Sequence, residues 1–192
     1  QGFYFPKLTT IPPSTFQNAK LTYVKVSEQM PLVTTIESNA FLQNEIRSVD
    51  ITGVTAVRSS AFSNQSTTNG GLTTLVAPDL QDIGRAAFEG NRIVNLDLPS
   101  ATIVRGTAFY NSGTIETLNA PNLQVLESGY NFYNNKLQEL NLPSLIRAEG
   151  IRDFGMNYIK EVHFDVAQSL GTDIFYTPEW PRTITSSTAR NP

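Results

Sequence analysis

Two glutamates are the residues best placed for catalysis if this chain were a hydrolase. Glu139 and Glu161 occupy the same position in two successive copies of a repeated segment, and neighbouring strands of a sheet lie about 4.8 Å apart. A carboxylate separation of about 5 Å is typical of retaining glycosidases. The repeat, however, predicts an open strand face without a pocket to desolvate a catalytic acid. We therefore expect a solvated acidic patch, with calcium bridging and catalysis as the alternatives.

The rest of the sequence offers little catalytic chemistry. His163 is the only histidine, and the chain has no cysteine, which excludes disulfides, zinc–thiolate sites and cysteine nucleophiles. No glycine-rich phosphate loop, His-Glu-x-x-His motif or EF-hand loop occurs. We therefore expect a non-enzymatic protein with no catalytic residue, no metal site and no cofactor, in which His163 is an ordinary surface residue.

Composition excludes further classes of function. The 192 residues carry 14 basic and 17 acidic side chains, a net charge of −3, and no block of like charge, which argues against nucleic acid as a partner. No apolar run reaches the roughly 18 residues of a transmembrane helix. A thiol-free chain rich in Asn, Thr and Ser fits an exported bacterial protein, and a cytoplasmic protein stays open on composition. We expect an extracellular or cell-surface location on the family resemblance given below.

The elements that position these residues come from an internal repeat. Seven copies of a unit of 21 residues carry apolar side chains at the fifth, tenth, fifteenth, eighteenth and twentieth positions after a proline slot; they start at Pro6, Pro31, Thr52, Pro78, Pro99, Pro121 and Pro143. Each unit ends in an alternating apolar pattern, which predicts a short strand, and the following proline ends that strand. One unit alone exposes its apolar face, so stacked units form a solenoid.

The predicted fold is thus a solenoid with a parallel β-sheet on its concave face and with turns and short helical segments on the other side. The solenoid covers residues 1–164, including a partial strand at 2–5. Residues 165–184 read as a degenerate capping repeat in which Trp180 covers the open end of the core, and residues 185–192 as a polar tail.

An asparagine follows each repeated phenylalanine by two or three residues. The structural interpretation is that each amide binds backbone groups of a turn inside the coil, and we prefer it to a row of amide ligands. The asparagines are Asn18, Asn44, Asn64, Asn91, Asn111, Asn134 or Asn135, and Asn157.

Outward-facing strand positions are the best candidates for ligand binding, because solenoids bind partners on such extended faces; solvated strand faces are the alternative. The candidates are Tyr23, Lys25, Asp50, Thr74, Asn95, Asp97, Asn119, Glu139, Asn141, Glu161 and His163. A row on the return side mixes charge signs, as in Arg58, Arg105 and Glu127, and predicts a salt-bridged edge.

An insertion at residues 64–71 interrupts the register and predicts an exposed loop, which is either a second binding element or simply disordered. Its candidate binding residues are Asn64, Gln65, Ser66, Thr67, Thr68 and Asn69.

The repeats resemble the leucine-rich repeats of BspA-like bacterial surface proteins over about residues 6–164. The stretches IGRAAFEGN, VRSSAFSN, IESNAF and VRGTAFYN carry the resemblance. Receptor L-type and fungal surface repeats are the second choice, since they lack the recurring Ala-Phe. Copies six and seven depart from the pattern, with Asn131 and Asp153 in place of that alanine.

The resemblance implies a cell-surface or secreted leucine-rich repeat module that binds a host or matrix protein or a glycan, as an adhesin does. The alternative is a structural spacer that presents another domain of a longer surface protein.

Overall fold

The computed structural model describes residues 3–65 and 71–177, together with the backbone of the strand Thr185–Ser186. The chain winds into stacked coils, and each coil contributes two short strands to two parallel sheets, as the repeat predicts. The strands are numbered β1 to β16 along the chain.

Even-numbered strands form the first sheet, which carries the alternating pattern before each proline slot. They are β2 (Tyr23–Lys25), β4 (Ser48–Asp50), β6 (Thr74–Val76), β8 (Asn95–Asp97), β10 (Thr117–Asn119), β12 (Glu139–Asn141), β14 (Glu161–His163) and β16 (Thr185–Ser186). Backbone pairing joins them in three groups, β2-β4-β6, β8-β10 and β12-β14-β16. Pairing on this side therefore continues to residue 186.

Odd-numbered strands form a second, unbroken sheet of eight strands. They are β1 (Thr10–Ile11), β3 (Thr35–Ile36), β5 (Ala56–Val57), β7 (Asp82–Ile83), β9 (Ile103–Arg105), β11 (Val125–Glu127), β13 (Arg147–Ala148) and β15 (Ser169–Leu170). The repeat predicts turns and short helical segments on this side, but the structure has strands. In four of the eight coils a β-branched residue precedes the fifth-position apolar residue, namely Thr10, Thr35, Ile103 and Val125, and favours extended backbone.

Helix is almost absent from the described part of the chain. The one helix there is the single turn α1 (Val26–Gln29). It overlaps the four extra residues before Pro31, so it belongs to an insertion and not to the repeat.

The third side of each coil, the turn face, is built around the repeated phenylalanine. The residue two before each phenylalanine has a positive φ, between 54° and 59° in all eight coils, and the residue two after it is also left-handed in the first seven coils. These two bends let alternate N–H groups point at the next coil. The N–H of Phe62, for example, donates to the carbonyl of Ala87 at 2.8 Å.

Phenylalanine rings form a continuous stack inside the coils. Centroid distances between successive rings run from 4.9 to 6.1 Å along Phe3, Phe16, Phe41, Phe62, Phe88, Phe109, Phe132, Phe154 and Phe175. The six rings from Phe41 to Phe154 are fully buried. Phe175 extends the stack into the eighth coil, whereas Trp180, the predicted cap, lies outside the described residues.

Only part of the predicted asparagine row faces the core. The residue three positions after the phenylalanine is buried in coils two to seven. These residues are Asn44, Gln65, Asn91, Ser112, Asn135 and Asn157. The prediction of amides that bind turn backbone is confirmed for Asn44, Asn91, Asn135 and Asn157. Asn157 Nδ2, for example, donates to the carbonyls of Phe132 and Phe154, and its Oδ1 accepts from the N–H of Leu137. The prediction is wrong for Asn18, Asn64 and Asn111, which stand one residue earlier at the left-handed position; of the two alternatives Asn134 and Asn135, Asn134 takes that left-handed position and Asn135 is the core amide.

A buried polar pair replaces the small residue before the phenylalanine in coils six and seven. Asn131 and Asp153 are fully buried, and Asn131 Nδ2 donates to Asp153 Oδ1 at 2.7 Å. The other two oxygens, Asn131 Oδ1 and Asp153 Oδ2, have no partner among the described residues. Burial raises the pKa of Asp153 to about 6, against the lowering effect of the hydrogen bonds from Asn131.

Removing one core amide tests the buried row. We expect Asn157→Ala to lower the free energy of unfolding by about 3 kcal/mol, because two carbonyls and one N–H lose their partner away from water. Urea unfolding measures the change. Asn141→Ala, on an exposed strand position, is the matched control and should change stability by less than about 0.5 kcal/mol. Equal effects of the two substitutions would contradict the assigned role.

Asp153 should make stability depend on pH. Its folded-state pKa of about 6 lies above the ordinary 3.8, so the folded state holds the proton more tightly. Its contribution is therefore full below about pH 4 and is lost as pH rises through 6, by roughly 3 kcal/mol. Asp153→Asn keeps the amide pair and removes the proton, so wild type should lose stability relative to this variant between pH 4 and 7. Asp165→Asn, at an exposed site, serves as the control; parallel curves for wild type and Asp153→Asn would refute the argument.

Candidate binding surface

The outward side chains of the first sheet form two columns, which together we call the strand face. Backbone register places Tyr23 beside Ser48 and Ser48 beside Thr74, and in the second column Lys25 beside Asp50 and Asp50 beside Val76. Farther along, Asn95 pairs with Thr117, Asp97 with Asn119, Glu139 with Glu161, and Asn141 with His163. All eleven predicted strand residues thus lie on this face, exposed or half-buried. Their function as ligand-binding residues stays a prediction.

The middle of the strand face is held by hydrogen bonds between side chains of neighbouring strands. Thr117 Oγ1 donates to Asn95 Oδ1 at 2.9 Å, and Asn119 Nδ2 donates to Asp97 Oδ1 at 2.6 Å. These contacts order exposed side chains before a ligand arrives, which lowers the entropy lost on binding. The donor to Asp97 is a neutral amide, so its negative charge is not compensated by this contact.

The first coils carry compensated charges. Lys25 Nζ lies 2.6 Å from Glu28 Oε1, and this hydrogen bond raises the pKa of Lys25. Burial alone would raise the pKa of the Asp50 carboxyl, but hydrogen bonds from Thr52 and the charge of Lys25 bring it below its ordinary value. The Asp50 charge is thus favoured, and α1 supplies partners at this end through Glu28 and Ser27.

The last coils carry uncompensated acids. Glu139 and Glu161 are adjacent in register and exposed, and neither forms an ion pair with another described residue. Like charges directly opposite each other on neighbouring strands are destabilising. Lys160, the nearest base in sequence, donates instead to Gln138 Oε1 at 2.9 Å. The arrangement leaves two carboxylates available to a cationic group of a partner.

Neither catalysis nor metal binding gains support from this geometry. Both glutamates are open to solvent, so nothing desolvates one of them as a general acid. Within residues 3–65 and 71–177, no group of three histidine, aspartate or glutamate side chains could hold a metal ion. The same described residues contain no helix that could cross a bilayer.

The predicted salt-bridged edge is confirmed on the second sheet. Asp82 bridges two arginines: Arg58 Nη1 lies 2.7 Å from its Oδ2, and Arg105 Nη1 contacts its Oδ1. Arg105 Nε in turn lies 3.2 Å from Glu127 Oε2. Four side chains from four coils thus alternate in sign and satisfy one another, so this row is a poor candidate for ligand binding.

The insertion at residues 64–71 is only partly described. Asn64 is exposed at the left-handed position, and its Nδ2 donates to Ser63 Oγ at 2.9 Å. Gln65 is buried and replaces asparagine in the core row, where its Nε2 donates to the carbonyl of Phe41 and its Oε1 accepts from the N–H of Ile46. Gln65 is therefore a core residue and not a loop ligand. Ser66, Thr67, Thr68 and Asn69 lie outside the described residues.

An aromatic surface on the turn face escaped the sequence analysis. Tyr110, Tyr130 and Tyr133 contact one another there. The signal in the sequence is the position after the repeated phenylalanine, which holds no aromatic residue in the first four coils and holds tyrosine in three of the last four. This position lies on a turn, outside the alternating pattern that marks the strand columns.

Comparison with protein families gives a match to the BspA type leucine rich repeat region (6 copies), over residues 2–69 and again over residues 68–179. No curated protein and no solved structure matches the chain. The two family matches span most of the sequence and agree with the coil register, the Phe stack and the parallel sheets. The chain belongs to the BspA-type leucine-rich repeat family.

Proposed function

We propose that this chain is a non-enzymatic binding module, exposed at a cell surface or secreted, which takes a protein partner on its strand face. Family membership supports a repeat module of protein-binding type. The observation that carries the proposal is the register-aligned set of exposed polar side chains, which run along several strands and are ordered by contacts between Asn95, Thr117, Asp97 and Asn119.

Charge defines the kind of partner. Asp97, Glu139 and Glu161 are exposed carboxylates on the second half of the strand face, and none has an ion pair with a described base. A partner that presents Lys or Arg side chains would relieve the repulsion between the two glutamates and would gain from electrostatic steering. The first half, with the Lys25–Glu28 pair and the exposed Tyr23, offers a more neutral and partly apolar contact.

An extracellular location fits this proposal, since such modules meet host or matrix proteins outside the cell. Bacterial origin and adhesion are part of the same proposal, as the family resemblance implies. The absence of cysteine makes the fold independent of the redox state of its compartment.

A structural spacer is the second candidate, and the phenylalanine stack is the observation that favours it. Rings stack in every coil from Phe3 to Phe175, and the second sheet runs unbroken through eight strands. A rod of this kind could hold another domain at a fixed distance without using the strand face.

Charge reversal separates the two candidates. We expect the triple variant Asp97→Lys, Glu139→Lys, Glu161→Lys to weaken binding to a cationic matrix protein at least tenfold, which is on the order of 1.4 kcal/mol, and we expect wild-type binding to fall with salt. Surface plasmon resonance against immobilised purified matrix proteins measures both effects.

The matched control reverses three carboxylates away from the strand face, Glu37 and Glu149 beside the second sheet and Glu89 on the turn face, and should bind as wild type does. If no matrix protein binds, or if both triple variants lose affinity equally, the strand face is not the binding surface and the spacer function is favoured.

A further inference from the structure

The turn face departs from the repeat in its second half. The position directly after the stacked phenylalanine is occupied, coil by coil, by Gln17, Leu42, Ser63, Glu89, Tyr110, Tyr133, Gly155 and Tyr176. The first four coils fold with polar, charged or aliphatic side chains there, so the scaffold does not require an aromatic residue. The tyrosines are thus a local addition to a position that the fold leaves free to vary.

These tyrosines form a compact aromatic platform. The rings of Tyr110 and Tyr133 stack with centroids 5.5 Å apart and planes 13° from parallel. Tyr130, from the left-handed position before the phenylalanine, stands edge-on to both, at 6.3 and 5.2 Å. All three side chains are only half-buried, so part of each ring remains in contact with water.

The neighbouring coils continue the platform without covering it. A Cβ at Gly155 would lie 3.0 Å from Cδ2 of Tyr133, so glycine makes room for that ring. Beyond it, the guanidinium of Arg152 lies 4.0 Å from the ring centroid of Tyr176. Arg152 Nη2 is also 3.8 Å from Asp173 Oδ2. On the other side of the rings, Glu89 holds the position of Tyr110 in the preceding coil and interacts with the charge of Arg85, so acids and bases are paired at both ends of the platform and its net charge is close to zero.

Polar groups border the rings. Asn134 Nδ2 donates to Asn111 Oδ1 at 2.6 Å, which fixes two carboxamides on the surface beside Tyr110 and Tyr133. This bond leaves the Asn111 amide N–H groups and the Asn134 Oδ1 available. The hydroxyls of Tyr110, Tyr130 and Tyr133 make no hydrogen bond to any residue in the described ranges and can both donate and accept.

We propose that this tyrosine face, formed by Tyr110, Tyr130, Tyr133, Asn111 and Asn134, binds a neutral oligosaccharide. A pyranose ring has an apolar C–H face that packs on an aromatic ring and equatorial hydroxyls that reach amides and phenols at its edge. The tyrosine face offers both kinds of group side by side. Its near-zero charge selects against anionic ligands such as nucleic acid or sulfated chains.

A protein ligand fits the same surface less well. Aromatic hot spots of protein interfaces lie in well-packed pockets from which water is excluded. The tyrosine face is instead a set of half-exposed rings bordered by carboxamides that are exposed or half-buried. The proposal stands apart from the strand-face function, because the two surfaces lie on different sides of each coil.

Saturation-transfer NMR tests this site. The probes are neutral oligosaccharides of two to six units, built from glucose, mannose, galactose or N-acetylglucosamine, offered to the complete chain. At least one probe should receive saturation on its ring C–H protons. Tyr133→Ala and Tyr110→Ala should each weaken binding by about tenfold, the loss expected for one stacking contact.

Three further variants make the outcome decisive. Gln17→Ala, at the equivalent position of the first coil, should bind as wild type, and Tyr133→Phe should keep most of the affinity because the ring remains. The strand-face triple variant should also bind normally, which separates this site from the proposed protein-binding function.

Thermal unfolding verifies that each variant is folded, and Tyr130→Ala replaces any variant that is not. The proposal is overturned if no neutral saccharide receives saturation, if folded tyrosine variants bind as wild type, or if a purified protein occupies the tyrosine face without any glycan.

Discussion

Backbone hydrogen bonds between successive coils are the constraint on which the rest of this structure depends. They run on all three sides of the coil, in the two parallel sheets and along the turn face, where Phe62 and its equivalents donate to the next coil. Parallel strands fix the axial spacing at about 4.8 Å, so each side chain lies against the residue at the same position of the next coil. A residue type is therefore suited to a column only if it packs on itself.

This self-packing rule explains which columns are uniform. Phenylalanine stacks ring on ring, with centroids 4.9 Å apart between Phe41 and Phe62, and buried asparagine donates both to its own coil and to the preceding one, as Asn157 does. Charged residues obey the opposite rule, because like charges repel at this distance. Arg58 and Arg105 share a column in which the fourth coil has Gly84, and Asp82, from two residues earlier, places an acid between the two arginines. In the next coil Glu127 stands directly opposite Arg105 with the opposite charge.

Two columns depart from this rule. Glu139 and Glu161 place two carboxylates at the same position of adjacent strands without a described counter-ion, at a cost in stability. Asn131 and Asp153 put polar groups where coils two to five have alanine, and the pair is compatible with the core because Asn131 donates to Asp153. The first pair faces solvent and can serve a ligand, whereas the second serves only the coil.

The sequence predicted the features that repeat with a fixed offset. The Phe column, the strand columns and the pairing of Glu139 with Glu161 follow from the 21-residue period alone. The second sheet was not predicted, because strands as short as Thr35–Ile36 contain too few residues to show an alternating pattern. Two adjacent turn positions both favour asparagine, one for its left-handed backbone and one for its amide. The sequence therefore offers Asn134 and Asn135 as alternatives, whereas the structure uses Asn134 at the left-handed position and Asn135 as the core amide. Gln65 was assigned to the loop because the insertion hides its register.

The same geometry explains why the two candidate surfaces are independent. The strand face and the tyrosine face share each coil but lie on different sides of the buried Phe stack, and the side chains of one do not contact those of the other. A ligand on one face could change the affinity of the other face only by shifting coils against one another. The backbone hydrogen bonds on three sides of each coil oppose such a shift. A protein partner and an oligosaccharide could thus be bound at once without competition, so that their combined effect on attachment would come from effective concentration rather than from allostery.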